Sequence, residues 1–475
     1  MDKLDIARWQ FAITTVYHFL FVPLTIGLSF LVAWLQTRWH RTGDPTYLRL
    51  TKLYGKLFLI NFALGVVTGI VQEFQFGMNW SDYSRFVGDI FGAPLAIEGL
   101  LAFFLESTFL GLWIFGWGRL KPRLHLATIW LAAIGTMLSA YFILAANSFM
   151  QNPVGAEVNL ATGRAELTDF WKVLTNPVVL VTFPHTIAAA FLTSGGLVLG
   201  VALWHLVRRG QDADAFRIAA RLGSVVMIAA AAVVVLTGDW QARVMTDVQP
   251  MKMAAAEALY DSSDRASFSV FTIGTLGDHE ELWSLRIPGL LSFLAEGDWN
   301  ATVEGINDLQ AEYEATYGAG SSYKPNIPIT YWTFRLMIGV GLLGAVAAAW
   351  VLWRLKRHDA RFPDARWVVA IAVLLPLTGV LGNTFGWIFT EMGRQPWVVF
   401  GLMPTAAGVS PGVSAAQVLL TMTGFTLLYG LLAVIEVRLL LSTIRAGLPD
   451  AEPELGASTR AEDDAAHDEP LVLVY

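Results

Sequence analysis

Nine long, largely apolar runs, each long enough to cross a lipid bilayer, dominate this sequence. They fall at about 11–36, 53–76, 92–117, 126–149, 177–206, 218–238, 329–353, 367–390 and 413–440. In hydrocarbon a single run can satisfy its own backbone groups only as a helix. The expected fold class is therefore an all-α integral membrane protein, a bundle of nine transmembrane helices. Composition agrees, with 55% hydrophobic and 15% charged residues in 475, far from soluble averages. The first run follows "MDKLDIARWQ", contains His18 and Pro23 and lacks a small-residue cleavage site. It reads as a resident helix, not a signal peptide. With no cysteine, disulfides, cysteine-ligated iron–sulfur clusters and thiol catalysis are excluded.

Lysine and arginine placement sets the expected orientation. The connections 37–52, 118–125, 207–217 and 354–366 are dense in basic residues, whereas 391–412 holds only Arg394. That pattern puts the N-terminus outside and the C-terminus in the cytoplasm. The chain then divides into transmembrane helices 1–6 (residues 1–238), a polar external connection (239–328), helices 7–9 (329–445) and a tail (446–475). The connection is far longer than a helix link needs, which points to function. The tail is acidic and poor in aromatics, and disorder is expected there. It also dominates the net charge of −7. No internal repeat is evident.

Several costly residues share one depth. At ~1.5 Å per residue, His18, Glu98, His185, Arg335 and Met337 lie six to eight residues in from the outer ends of their helices, and Glu391 closes the eighth run. Each has a bland reading: a hydrogen-bonded packing histidine, a core methionine, a snorkelling arginine, a solvated carboxylate. Together those readings weaken, because ionisable groups inside a membrane normally pair or mark a pathway. Haem iron accepts histidine, methionine and oxygen ligands, and arginine neutralises propionates. The 18 tryptophans and 29 phenylalanines could line macrocycles. His185 with Met337 would hold a six-coordinate haem, while His18 and the glutamates would leave an open position for dioxygen. Two other readings remain open at this point: a proton-coupled transporter without haem, and a di-haem b anchor without oxygen chemistry.

The motifs themselves point to a family. "GRQPW" (393–397), with Glu391 and Trp387 before it, resembles subunit I of cytochrome bd quinol oxidase. So do "YHFLFVPLT" (17–25), "GKLFLINFALGVVTGI" (55–70), "QEFQFGMNW" (72–80), "GDIFGAPLAIEGLLAFFLEST" (88–108), "ILAANSFMQNPVG" (143–155) and "YWTFRLM" (331–337). The likeness runs from residue 5 to about 445. It implies three haems, b558, b595 and d. His185 and Met337 match the ligands of b558, and His18 and Glu391 match ligands of the two high-spin haems, without fixing which is which. Glu98 matches a residue beside haem d, a candidate second ligand. Trp387 matches a tryptophan between haems, while Arg335 and Arg394 match propionate contacts. The long connection resembles the family's Q-loop in its short form, and "PMKMAAAEALY" (250–260) matches its signature. Lys252 and Glu257 are thus the candidate contacts for ubiquinol or menaquinol; spacing alone would read them as a surface ion pair. A second subunit and small single-span subunits are the implied partners, with dioxygen as oxidant and a bacterial cytoplasmic membrane as location. No nucleic-acid partner is expected.

Glu98 and Glu106 are eight residues apart in one apolar run. A regular helix would put them on neighbouring faces. With Lys56 near the inner end of helix 2, Ser139 and Asn147 on helix 4, they sketch a polar line from cytoplasm to haem. The family assigns a proton channel to matching positions. The resemblance then implies quinol oxidation outside and electron transfer through b558 to b595 and d. Oxygen reduction would use cytoplasmic protons, building a proton motive force without a pump.

Overall fold

The computed structural model describes residues 2–208, 212–277, 280–357, 362–363 and 365–450. Among them, nine helices are long and apolar enough to span a membrane. They are α1 Lys3–Thr42, α2 Pro45–Met78, α3 Ser81–Phe115, α4 Pro122–Gln151, α5 Pro177–Val207, α6 Ala213–Val248, α7 Ile327–Leu355, α8 Arg366–Gly393 and α9 Ala415–Ala446. Nearly all of the tail expected over 446–475 lies outside the described residues, as do parts of the basic connections at 207–217 and 354–366.

Local sequence explains several helix starts. Asp44 caps α2 by accepting the Thr46 N–H, with Pro45 at the first helical position, where its missing N–H costs nothing. Asn176 and Pro177 repeat that device at α5. Ser414 and Gln417 form a reciprocal capping box at α9, satisfying two otherwise orphaned donors. Within the bundle α5 packs along α6 and α8, α1 along α2, and α7 along α8. Small residues permit the closest approach: a Cβ on Gly223 would sit 2.8 Å from the Gly195 carbonyl oxygen.

The bundle has two unlike halves. The largest apolar core joins the end of α1 and start of α2 to the end of α5 and start of α6, with Leu35, Leu57, Val198, Leu203 and Phe216 sealed inside. That is the end away from the 249–326 connection. Nearer the connection, His18, His185, Met337, Trp387 and Glu391 are only partly buried.

The connection is a folded body. It carries the helix Pro250–Glu257, a hairpin pairing Phe268–Thr275 with Glu280–Ile287, and the helices Leu290–Glu296 and Ile306–Tyr317. It begins later than the apolar pattern suggested. α6 continues ten residues past 238 to Val248, with an Asp239–Arg243 ion pair of 3.2 Å on the extension. Apolarity ends there, but helix propensity does not. The connection docks through aromatics: Trp397 of "GRQPW" stacks on Tyr323, with ring centroids 5.7 Å apart, and meets Tyr317 edge-on.

Candidate functional site: a polar layer in the connection-side half of the bundle

The two intramembrane histidines are held in the same way. His18 on α1 has its Nδ1 3.0 Å from Thr68 Oγ1 on α2. His185 on α5 has its Nδ1 3.1 Å from Thr237 Oγ1 on α6. Each threonine already donates its single hydroxyl proton to its own helix, Thr68 to the Leu64 or Gly65 carbonyl and Thr237 to that of Val233. The hydroxyl oxygens can therefore only accept across the interface, so the ring proton sits on Nδ1 and the Nε2 lone pair is left for a metal. Glycine follows each threonine. A Cβ on Gly69 would lie 3.0 Å from the His18 ring and one on Gly238 3.4 Å from the His185 ring. A histidine aimed by its second nitrogen is the usual support for a metal ligand. This twin arrangement was open to sequence reasoning in "GVVTGI" and "VVLTGD", but only pairing the helices brings it out.

Met337 on α7 lies against α8, its Sδ 3.0 Å from where a Gly386 Cβ would be. Trp387, the next residue, meets Phe19 edge-on at 4.9 Å and so adjoins the His18 segment. Glu391 accepts from Asn147 Nδ2 at 3.1 Å through Oε1 and from Arg394 through Oε2. Arg394 is almost wholly buried, yet its Nε and Nη1 have no hydrogen-bond partner among the described residues. A buried guanidinium edge left unsatisfied is costly. It has the chemistry to bind a carboxylate such as a haem propionate. The donor set and this orphaned edge both fit haem.

Arg335 is placed differently from the expectation. Its guanidinium is spent on the connection, donating to Glu257 Oε2 at 2.8 Å, to the Ser269 carbonyl twice and to the Ala256 carbonyl. Four hydrogen bonds leave little for a propionate. Glu257 also accepts the Ser269 N–H at 2.9 Å, while its buried Oε1 lacks a partner among the described residues. Burial pushes the Glu257 carboxyl up, against the pull of Arg335 and the Ser269 N–H. Lys252 points elsewhere. Five residues along a helix turn it by ~140° from Glu257, and its Nζ donates to Gln151 Oε1 on α4 at 3.1 Å. Burial lowers the Lys252 ammonium to about 7; Arg394 adds to the shift and Glu391 opposes it.

The glutamates of α3 are not on neighbouring faces. Residues Glu98–Phe103 form a π-helical turn, which takes up about one extra residue and so rotates the helix phase by ~100°. Both side chains then face α4. Ser139 Oγ donates to Glu98 Oε1 at 2.6 Å, and Gly135, one turn earlier, lies 3.0 Å from Glu106 Cβ, measured from its missing Cβ. Asn147 joins Glu391 and not Glu98. Lys56 is exposed and carries no hydrogen bond or ion pair among the described residues, so the structure does not join it to Glu106. Two residues were passed over in the sequence. Glu73 on α2 is exposed; its place in an apolar run was the available signal. Gln151 had no such signal.

The expected test of the twin arrangement is direct. Thr68→Val and Thr237→Val keep the shape but remove the acceptor, and each should weaken, by roughly 10–100-fold, retention of a haem that its histidine would hold. Haem content per purified complex reads this out; unchanged content in both variants would remove the threonines from ligand support.

The cytochrome bd terminal oxidase subunit I family matches residues 6–448. The chain is 45% identical to cytochrome bd ubiquinol oxidase subunit 1 of Bacillus subtilis (strain 168) over 472 residues, covering 99% of this chain and 97% of the relative. It is 37% identical to cytochrome bd-II ubiquinol oxidase subunit 1 of Escherichia coli (strain K12), over 94% of this chain and 97% of that one. The solved bd oxidase of Geobacillus thermodenitrificans superposes with a TM-score of 0.84 at 28% identity, covering 94% of this chain and 99% of that one. With nine membrane-capable helices among its described residues, the chain is a multi-pass protein of the bacterial cytoplasmic membrane and belongs to the cytochrome bd terminal oxidase subunit I family.

Proposed function

We propose that this chain is the haem-bearing subunit of its oxidase and oxidises ubiquinol or menaquinol at the 249–326 connection. Membership of the family makes the enzyme a quinol:oxygen oxidoreductase. The observation that carries the residue-level reading is the pair of threonine-oriented histidines, whose Nε2 atoms have no hydrogen-bond partner among the described residues. His185 and Met337 would hold haem b558. His18 and Glu391 would hold the irons of b595 and d, with Glu98 beside them and the Arg394 edge on a propionate. When bound, these haems supply electron transfer and the reduction of dioxygen to water.

The chain's own residues do the rest. The Arg335–Glu257–Ser269 cluster fixes the helix Pro250–Glu257 so that the free Glu257 oxygen can accept a quinol hydroxyl, and Lys252 offers a donor. Glu106 and Glu98, aligned on α4 by the π turn, hold and pass protons, with Ser139 Oγ fixing the Glu98 carboxylate. Lys56 marks the cytoplasmic entry. The oxidase is electrogenic without pumping, because protons are released on the connection side and taken up on the other. A second subunit completes the complex, as the "subunit 1" of the relatives' names implies, and small single-span subunits accompany it.

Dithionite-reduced minus oxidised spectra of the purified complex, with and without carbon monoxide, should show one low-spin b haem and two high-spin haems. His185→Ala and Met337→Ala should each abolish the low-spin signal, while His18→Ala and Glu391→Ala should abolish high-spin signals. A complex with low-spin haem alone would sink the oxygen chemistry. In oriented vesicles, turnover should draw protons from the face opposite the connection; uptake from the connection face would overturn the glutamate line. The sign of the Lys252 effect also follows. Its cation is present below about 7 and lost above it, so the quinol KM should climb as pH rises through that value. Lys252→Arg keeps the charge and should flatten the slope; a slope that persists would remove Lys252 from quinol binding.

A further inference from the structure

One string of hydrogen bonds leaves the connection and ends on Glu391. Lys252 Nζ donates to Gln151 Oε1 at 3.1 Å, Gln151 Nε2 to Asn147 Oδ1 at 2.8 Å, and Asn147 Nδ2 to Glu391 Oε1 at 3.1 Å. Arg394 closes the far side of the carboxylate. Amide orientation is often ambiguous, but here it is forced. The Glu391 carboxylate can only accept, so Asn147 must turn its Nδ2 to it and its Oδ1 to Gln151, which in turn presents Oε1 to Lys252. The donors thus run head to tail, each polarising the next.

The packing around the string is close. Asn147 and Gln151 are one turn apart on α4, so a single helix face carries both links. The Gln151 carbonyl also accepts from Gln249 Nε2 at 3.2 Å, tying the start of the connection to the same turn. The Lys252 stem crosses Gly393 so closely that a Cβ there would lie 2.7 Å from Lys252 Cγ. Its Nζ is 5.3 Å from the Phe389 ring centre. Gln151 and Lys252 are both buried, which keeps solvent from replacing the link between them.

We propose that Gln151 is a positioning residue that couples the quinol-contacting lysine to the carboxylate holding a high-spin haem, so that filling one site is felt at the other. The inference rests on the reading of Lys252 as a quinol contact and Glu391 as an iron ligand. A purely structural Gln151 would only dock the connection. Coupling makes a further demand, because the two amide edges must serve different ends of the string. Gln151→Leu removes both. Gln151→Glu keeps an acceptor for Lys252 but has no N–H for Asn147.

The test uses the purified complex with all its subunits. The oxidised spectrum is recorded with and without a short-chain oxidised quinone, alongside the quinol KM and kcat. In the parent enzyme, quinone should shift a high-spin haem band. In Gln151→Leu the shift should vanish and KM rise roughly tenfold, the expected loss of one hydrogen bond to a charged group. In Gln151→Glu the shift should also vanish while KM stays within about threefold. A retained low-spin signal confirms that a variant is assembled; if Gln151→Leu is not, Gln151→Glu alone decides. No quinone-induced shift in the parent, or a shift that survives in either variant, overturns the coupling. Two controls separate that failure from failure of the underlying reading. Lys252→Ala must raise the quinol KM, and Glu391→Gln must change the high-spin spectrum. If both behave so and the Gln151 variants match the parent, the coupling alone is wrong.

Discussion

A carboxylate inside a membrane must be met by protein, since hydrocarbon offers it nothing and isolated burial costs several kcal/mol, about 3 on insertion scales. In this chain one helix answers most of that demand. Along α4, Gly135, Ser139, Asn147 and Gln151 recur at multiples of four residues; the last three hydrogen-bond Glu98, Glu391 and Lys252 in turn, and Gly135 leaves room for Glu106. The stripe extends over ~24 Å. It is what allows three glutamates and a lysine from α3, α8 and the connection to share one bundle. The tightly packed apolar half then supplies the stability that the polar half gives up.

The nine helices were legible because each is a local property, written in a run of apolar residues. His18, Glu98, His185 and Glu391 were legible for a related reason: a polar side chain where it costs most is conspicuous in any window. What stayed hidden is relational. Nothing in "EGLLAF" announces a π turn, since the extra residue is accommodated by hydrogen-bond pairing and not by composition; yet it decides which face Glu98 uses. Arg335 could serve a propionate or a loop on equal chemistry, and the choice depends on a segment 66 to 79 residues away in the sequence. Thr68 and Thr237 are ordinary helix residues until α2 meets α1 and α6 meets α5.

The connection is integral to the bundle and not an appendage. Arg335 from α7 enters it from below, and Trp397 beside α8 inserts into its aromatic cluster of Tyr313, Tyr317 and Tyr323. The motif "GRQPW" therefore serves two structures at once. Arg394 binds the Glu391 carboxylate, Gly393 makes room for the Lys252 stem, and Trp397 anchors the connection. Its compactness reflects the meeting of those three surfaces within five residues.

The helix Pro250–Glu257 is gripped on two opposed sides, by Gln151 through Lys252 and by Arg335 through Glu257. A short rod held on both sides cannot roll to release one grip while keeping the other. Lifting it would break the Lys252–Gln151 hydrogen bond, worth about 1.5–3 kcal/mol, together with the buried Arg335–Glu257 ion pair, whose loss costs about 3–5 kcal/mol when one partner is left behind. Such a clamp has no cheap half-open position. Substrate traffic past it must use small side-chain rearrangements around a stationary rod, or else wait for the whole segment to come away in one rare event.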